Sequence, residues 1–209
     1  MRLRSRNSII AILASLFLFA ACSKKPENLA TLPFADDFNR SEFGKFWKGD
    51  PAWRIEDGQV FTSGTRNNAL WLKLDIPDDA VIEFDARSES PVGDIKFEVY
   101  GDGKTHASGY ICIFGGWKNS ISAIARLDEH GSDRQEYPKK GLVKMGQTYR
   151  MKLVRKGKVL RWFVDGKRFM EFYDSEPLRG QGHNRFAFND WEANLYFDNL
   201  KIRAATAGD

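Results

Sequence analysis

Three stretches concentrate side chains that could do chemistry. The densest is Ala125-Arg126-Leu-Asp128-Glu129-His130-Gly131-Ser-Asp133-Arg134. Here Arg126, His130 and Arg134 are donors, and Asp128 can accept from a pair of hydroxyls. Such a segment, at a strand end and loop, suits ligand contacts; it also reads as an ordinary charged loop. The second is Gly182-His183-Asn184-Arg185-Phe-Ala-Phe-Asn189-Asp190-Trp191-Glu192. It sets imidazole, amide, carboxyl and indole around one short strand, or forms a structural corner with Trp191 buried. The third, Gly115-Gly116-Trp117-Lys118-Asn119, puts an indole in a glycine turn. That indole either stacks on a flat ligand face or folds back over the core edge. His130 with Asp128 has no third ligand at a metal spacing, which rejects a zinc site.

Charge also alternates along two segments. In 81–87, Ile82, Phe84 and Ala86 point one way and Glu83, Asp85 and Arg87 the other. In 94–100, Ile95, Phe97 and Val99 oppose Asp94, Lys96, Glu98 and Tyr100. An antiparallel hairpin with Arg87 facing Asp94 matches Asp85 to Lys96 and brings Glu83 to Glu98. Cross-strand pairs of this kind contribute roughly 0.2–1 kcal/mol each, and a one-residue slip would bury the charges. The segment 119–128 extends the pattern, with Ile121, Ala123, Ala125 and Leu127 on one face and Ser120, Ser122, Ile124, Arg126 and Asp128 on the other. Tyr110 is a neighbour of the expected polar face. Donors (Arg87, Lys96, Arg126) and acceptors (Asp85, Asp94, Asp128) mix there, as a ligand rich in hydroxyls requires. The expected site is this face, rimmed by Trp117, His130 and His183–Trp191.

The elements that must carry these residues are strands. Short alternating or β-branched runs fall near 52–56, 59–63, 69–75, 80–88, 93–100, 108–115, 119–128, 147–155, 158–164, 167–173, 185–189 and 194–203, between Gly, Asp and Asn. Asp57-Gly58 and Asp165-Gly166 are two-residue hairpin turns, and Lys156-Gly157 is a third. No long helical pattern follows residue 30. A dozen strands in one domain mean an all-β sandwich or barrel.

The N-terminus is of another kind. Arg2, Arg4 and Arg6 precede the apolar run Ile9–Ala21, then Cys22. The run is shorter than the roughly 20 residues of a membrane-spanning helix and fits a signal segment. Removing residues 1–21 takes away three arginines and no acids, so the formal charge falls from +4 to +1. That excludes any argument for nucleic-acid binding from charge. Cys112, the other cysteine, sits in Tyr110-Ile-Cys-Ile-Phe114 and reads as a small buried hydrophobe.

The residues Phe19-Ala20-Ala21-Cys22-Ser23 resemble a bacterial lipoprotein signal. The resemblance implies lipidation at Cys22, a membrane partner through the lipid, and a place in the bacterial cell envelope at the outer membrane. The chain then divides into a signal peptide (1–21), a lipidated tether (22–31), the domain (32–204) and a tail (205–209). Asp36-Asp37-Phe38 with Trp47, Trp53-Arg-Ile-Glu-Asp57-Gly58, Arg161-Trp-Phe-Val-Asp165-Gly166 and Tyr196-Phe-Asp198-Asn199-Leu-Lys-Ile202 resemble the concanavalin A-like lectin/glucanase superfamily, among its 3-keto-disaccharide hydrolase-like exported domains. This implies a two-sheet antiparallel jelly-roll β-sandwich with a carbohydrate site on one sheet. The glucanase pattern Glu-x-Asp-x-x-Glu starts at Glu83-Phe84-Asp85, but Ser88 stands where the last acid belongs and Glu89 is one place late. The catalytic carry-over therefore fails, although an opposed Glu83 and Glu98 would meet the roughly 5–5.5 Å carboxyl spacing of retaining glycosidases. In similar sandwiches the termini pair and a calcium ion can sit there, which makes Asp37 and Asp198 candidate ligands; no cofactor is required. The reading is a lipid-anchored domain that binds carbohydrate or polysaccharide. A sugar-processing hydrolase or lyase using the same acids is the alternative, and a structural envelope protein is the third.

Overall fold

The computed structural model describes residues 29–209. Cys22 and the signal segment lie outside the described residues. The strands are β1 (Phe34–Asp36), β2 (Trp47–Lys48), β3 (Arg54–Glu56), β4 (Gln59–Ser63), β5 (Leu70–Leu72), β6 (Ala80–Ser88), β7 (Ile95–Gly101) and β8 (Tyr110–Gly115). They continue as β9 (Ile121–Arg126), β10 (Gln135–Tyr137), β11 (Thr148–Lys156), β12 (Val159–Val164), β13 (Lys167–Tyr173), β14 (Arg185–Asn189) and β15 (Asn194–Ala204). One sheet runs β13-β12-β11-β6-β15-β4-β3, with β1 joining β15. The other runs β10-β9-β8-β7-β14-β5-β2. All pairings between these strands are antiparallel, and the two sheets stack as a jelly-roll sandwich.

Period-two alternation builds the core between the sheets. Phe84 and Ala86 from β6, Phe97 and Val99 from β7, Phe186 and Phe188 from β14 and Trp162 from β12 all belong to it. The aromatic contacts cross the sandwich: Phe97 meets Trp162 edge to face at 5.3 Å, and Phe188 stacks on Phe197 at 4.3 Å. Asp57-Gly58 and Asp165-Gly166 make the expected tight turns, with φ of 51° and 73° and of 51° and 75°. In the third hairpin Lys156 pairs with Val159, so the turn is Gly157-Lys158, one residue later than expected.

The hairpin expected from 81–100 is not formed. β6 pairs with β11 and β15, whereas β7 pairs with β8 and β14 in the opposite sheet. The apolar faces of 81–87 and 94–100 do meet, but across the core. Their polar faces therefore point in opposite directions, and the expected Arg87–Asp94, Asp85–Lys96 and Glu83–Glu98 pairs do not exist. The reason lies in the link. Segment 89–94 does turn at Pro91-Val92, where the Gly93 amide bonds to Ser90 O at 3.2 Å, but the turn carries the chain from one sheet to the other instead of closing a hairpin, and the Asp94 amide bonds to Gly115 O in the opposite sheet at 2.9 Å.

β9 is also turned over. Ile124 and Ser122 are buried on the inner side, and Ile124 joins the core. Ala123 and Ala125 face outward, Ala125 beside Ile111 and Ile113. Tyr100 departs from its strand's alternation because a bulge, with φ of 59° at Tyr100 and a register shift against β14, re-aims it into the core.

Candidate functional site

The outer face of the seven-stranded sheet has a mostly apolar floor with a few polar groups set into it. Alternation along β7 directs Lys96 and Glu98 outward; β14 adds Asn189, β8 adds Ile111 and Ile113, and β5 adds Trp71. Loops fold over this floor: 102–109 brings His106, 127–134 brings Glu129, His130 and Arg134, and 190–193 brings Trp191. A left-handed turn at Gly116–Asn119 brings Trp117, with φ of 48°, 61° and 58° at Trp117, Lys118 and Asn119. Side chains in that region cost energy. The turn is held by Asn119, whose amide donates to Val143 O at 2.6 Å and accepts from Val143 N at 3.1 Å. Gly115 before it cannot be replaced cheaply: its φ is +69°, and a Cβ would lie 2.5 Å from Val143.

Between these loops lies a cleft of about 430 Å³, lined by Asp94, Ile113, Trp117, Glu129, His130 and Trp191 among others. Trp191 is half exposed, and Trp117 is packed edge to face with His130 at 5.9 Å and under Arg134 at 4.7 Å. Beneath sits a polar network. Lys96 Nζ lies 3.1 Å from Glu129 Oε2, 3.0 Å from Asn67 Oδ1 and 4.0 Å from Asp94 Oδ2. His130 Nε2 is 3.6 Å from Glu129 Oε1. Asp94 Oδ2 accepts from the Trp191 amide at 2.9 Å, and Asp190 accepts from the amides of Thr65 and Ala193, so the Trp191 loop is tied to the floor.

The two carboxyls around Lys96 are pushed apart. Burial drives Asp94 up to about 7, against the pull of Lys96 and with Asp190 and Glu129 adding to the rise. Burial also works to raise Glu129, but Lys96, His106 and His130 outweigh it and hold the group below the usual carboxylate range. One ammonium cannot serve both, and it is closer to Glu129. Neighbouring carboxyls with separated affinities for protons are an acid/base arrangement.

Of the residues expected at the site, Asp94, Lys96, Glu98, Trp117, His130, Arg134, Asn189, Asp190 and Trp191 come together on this face or its rim. The others do not. Glu83, Asp85 and Arg87 lie on the outer face of the other sheet, where Asp85 pairs with Arg150 at 3.1 Å and Arg87 stacks on Tyr196 at 4.4 Å. Tyr110 and Arg126 point inward and share Asp174, at 2.6 Å and 2.9 Å. Asp128 caps its own turn through the His130 amide, and His183 contacts Ser108 O at 2.9 Å; neither lines the cleft. Among the described residues no group of three or more His, Cys, Asp or Glu side chains gathers as metal ligands do. Asp37 caps Asn39, while Asp198 accepts from Gln59. Cys112 is a free, buried thiol that burial pushes above its ordinary range.

Two participants are not anticipated by the sequence. Glu129 carries no signal there beyond its place in a charged loop. His106 belongs to no recognisable motif; it reaches the floor because the β7–β8 loop folds back over β7, with Nδ1 2.7 Å from Glu98 Oε1. The only sequence signal for that fold-back is Asp102-Gly103 at the loop's start.

The architecture recurs in solved structures. The carbohydrate binding module CBM66 from Bacillus subtilis is 14% identical, with a TM-score of 0.63 over 85% of this chain and 100% of that one. The carbohydrate recognition domain of Emp47p is 14% identical, with a TM-score of 0.60 over 82% and 94%. The Bacillus licheniformis β-glucanase is 12% identical, with a TM-score of 0.60 over 83% and 98%. Likeness at such identities is likeness of fold, and it is the concanavalin A-like lectin/glucanase fold. A search of curated protein sequences finds no match. A family profile described as a 3-keto-alpha-glucoside-1,2-lyase-like domain does match, over residues 33–203. That span runs from just before β1 into the end of β15 and takes in both sheets and every loop of the cleft, so the chain belongs to the 3-keto-alpha-glucoside-1,2-lyase-like family.

Proposed function

We propose that this protein is an exported, lipid-anchored domain that binds carbohydrate in the cleft between Trp117 and Trp191. The observation that carries the reading is the composition of that cleft: two indoles beside a carboxyl pair, an ammonium and an imidazole, on a sandwich sheet face. Indoles offer apolar faces to a pyranose ring, and the polar floor offers donors and acceptors to its hydroxyls. The lectin and binding-module likeness of the fold supports the same class of ligand. Anchoring through Cys22 would place the cleft at the cell envelope. The test is a glycan array on residues 26–209, followed by calorimetry. Trp117→Ala and Trp191→Ala should each weaken binding by about tenfold or more, as central aromatic contacts do. A blank array would overturn the reading and favour a structural envelope role.

A second reading is a carbohydrate lyase, and the divided Asp94/Glu129 pair favours it. The family's description names a 1,2-lyase acting on a 3-keto-alpha-glucoside. In such an elimination a base removes the C2 proton, which the C3 ketone acidifies, and an acid protonates the departing O1. Asp94 holds its proton up to near-neutral pH and suits the acid. The check is ultraviolet detection of a conjugated enone from methyl 3-keto-α-glucoside. No enone at any pH between 5 and 8 would leave binding as the whole function.

A further inference from the structure

We propose that His106 is the base of that elimination, held ready by Glu98. The proposal rests on the lyase reading and deepens it. Glu98 is fully buried. Its carboxylate faces His106 Nδ1 at 2.7 Å and accepts from the Ala107 amide at 3.1 Å and the Asn189 amide group. With its proton on Nδ1 the ring donates to Glu98, which also takes the Asn189 amide group lying 3.1 Å from Nδ1, and a neutral ring held in that tautomer keeps the Nε2 lone pair bare. The ring is not floppy, because Asp102 pins its loop by accepting from the Lys104 and Thr105 amides, each at 2.7 Å.

His106 lines another cleft of about 420 Å³ on the same sheet face, with Lys48, Asn67, Trp71 and Lys104 among its walls. Its Nε2 is 3.9 Å from Glu129 Oε2, which borders the first cleft. The imidazole therefore stands on the ridge between two cavities, with Asp94 in the first. A saccharide laid across the ridge meets a base and an acid from different sides. Glu129 is the weaker base, since Lys96 at 3.1 Å stabilises its charged form. Its better role is to stabilise the imidazolium that the reaction creates.

The step balances. Nε2 takes the C2 proton, the C2–H electron pair becomes the C1=C2 bond, and the C1–O1 bond breaks. O1 leaves with the Asp94 proton. His106 returns its proton to solvent, and Asp94 regains one.

The test uses methyl 3-keto-α-glucoside with the 26–209 protein. His106→Gln should lower kcat by at least about 100-fold, the scale of a lost general base, with KM within about threefold. His106→Gly should recover at least about tenfold of its lost rate with imidazole in the buffer, a rescue that a merely structural role would not give. Glu98→Gln should lower kcat without moving KM. An active wild type whose His106→Gln variant keeps kcat within threefold overturns the role of His106 and leaves the lyase reading intact. A wild type with neither enone nor deuterium uptake at C2 in heavy water overturns both. Uptake at C2 without enone, lost in His106→Gln, upholds His106. Should the variants fold poorly, the long-range proton–nitrogen spectrum of the wild type decides: Nδ1 protonated and Nε2 bare is expected, and the reverse tautomer overturns the proposal.

Discussion

Lys96 Nζ lies 3.1 Å from Glu129 Oε2, with side chains 2% and 15% exposed. The pair joins the start of β7 to the loop after β9, so a cleft wall hangs on one nearly dry ion pair. Removing the ammonium leaves Glu129 charged and shielded from water. Lys96→Met should therefore cost on the order of 3 kcal/mol near pH 8, as broken buried pairs do. The sign of the pH dependence follows from Glu129, which binds its proton less tightly in the folded state. That stabilisation is present above the usual carboxylate range and is lost as pH falls through the lowered folded value, beneath that range. The gap between urea melts of the two proteins should thus close only as the pH drops below the usual carboxylate range, and a gap that widens on acidification would refute the pairing.

How much of this is legible in the sequence divides by the range of the signal. The Asp-Gly turns are local chemistry, and both expected ones form at the expected residues. The alternation of 81–87 and 94–99 correctly tells which side chains face the core, and it fails at Tyr100, which the bulge turns inward. It cannot tell that the partners across the core belong to different sheets, because stacked and paired strands show the same period. Phe84 and Phe97 do touch, at 5.0 Å, as sandwich partners and not as strand neighbours. Alternation alone aims Arg126 outward, because Asp174, its inner partner, lies 48 positions away. The aromatic rim is legible because indoles in Gly- and Asn-rich turns are conspicuous. His106 is not, since its role is set by a loop folding back onto Glu98.

Arg155 makes a different prediction. Its guanidinium is fully buried and stacks on the Tyr100 ring at 4.0 Å, with Tyr110 at 5.9 Å. Among the described residues no acid pairs with it. A cation–π contact of this type is worth about 2 kcal/mol when desolvated, against several for stripping water from the charge. Arg155→Met, of similar length, should leave stability unchanged or raise it by up to about 4 kcal/mol. A fall of more than about 2 kcal/mol in a denaturant melt would show that the ring stack outweighs desolvation.

The anchor prediction concerns the full chain. Cys22→Ala should abolish metabolic lipid labelling and leave uncleaved or soluble protein. Stable anchoring takes more than one acyl chain, so losing the attachment site should release the domain rather than weaken its hold slightly. Unchanged detergent partitioning and labelling would refute lipidation.

The last prediction is a pH dependence carried by Asp94. Its carboxyl is nine-tenths buried and pushed up to about 7, from 3.8 for an unhindered aspartate, with burial the main cause. A folded state that binds the proton more tightly than the unfolded chain is favoured at low pH. The advantage is fully present below about pH 4, declines as pH rises, and is gone once pH passes the folded value near 7. Each tenfold difference in proton affinity between the two states is worth about 1.4 kcal/mol, so the full span is on the order of 4 kcal/mol. Asn keeps a carbonyl oxygen for the Trp191 amide but cannot ionise. Asp94→Asn should accordingly gain stability relative to wild type between pH 5 and pH 8, by about 2–3 kcal/mol. The measurement is a pair of denaturant melts at the two pH values. Parallel pH profiles for the two proteins would mean that Asp94 ionises normally in the fold, and the acid assigned to the cleft would have to be another group.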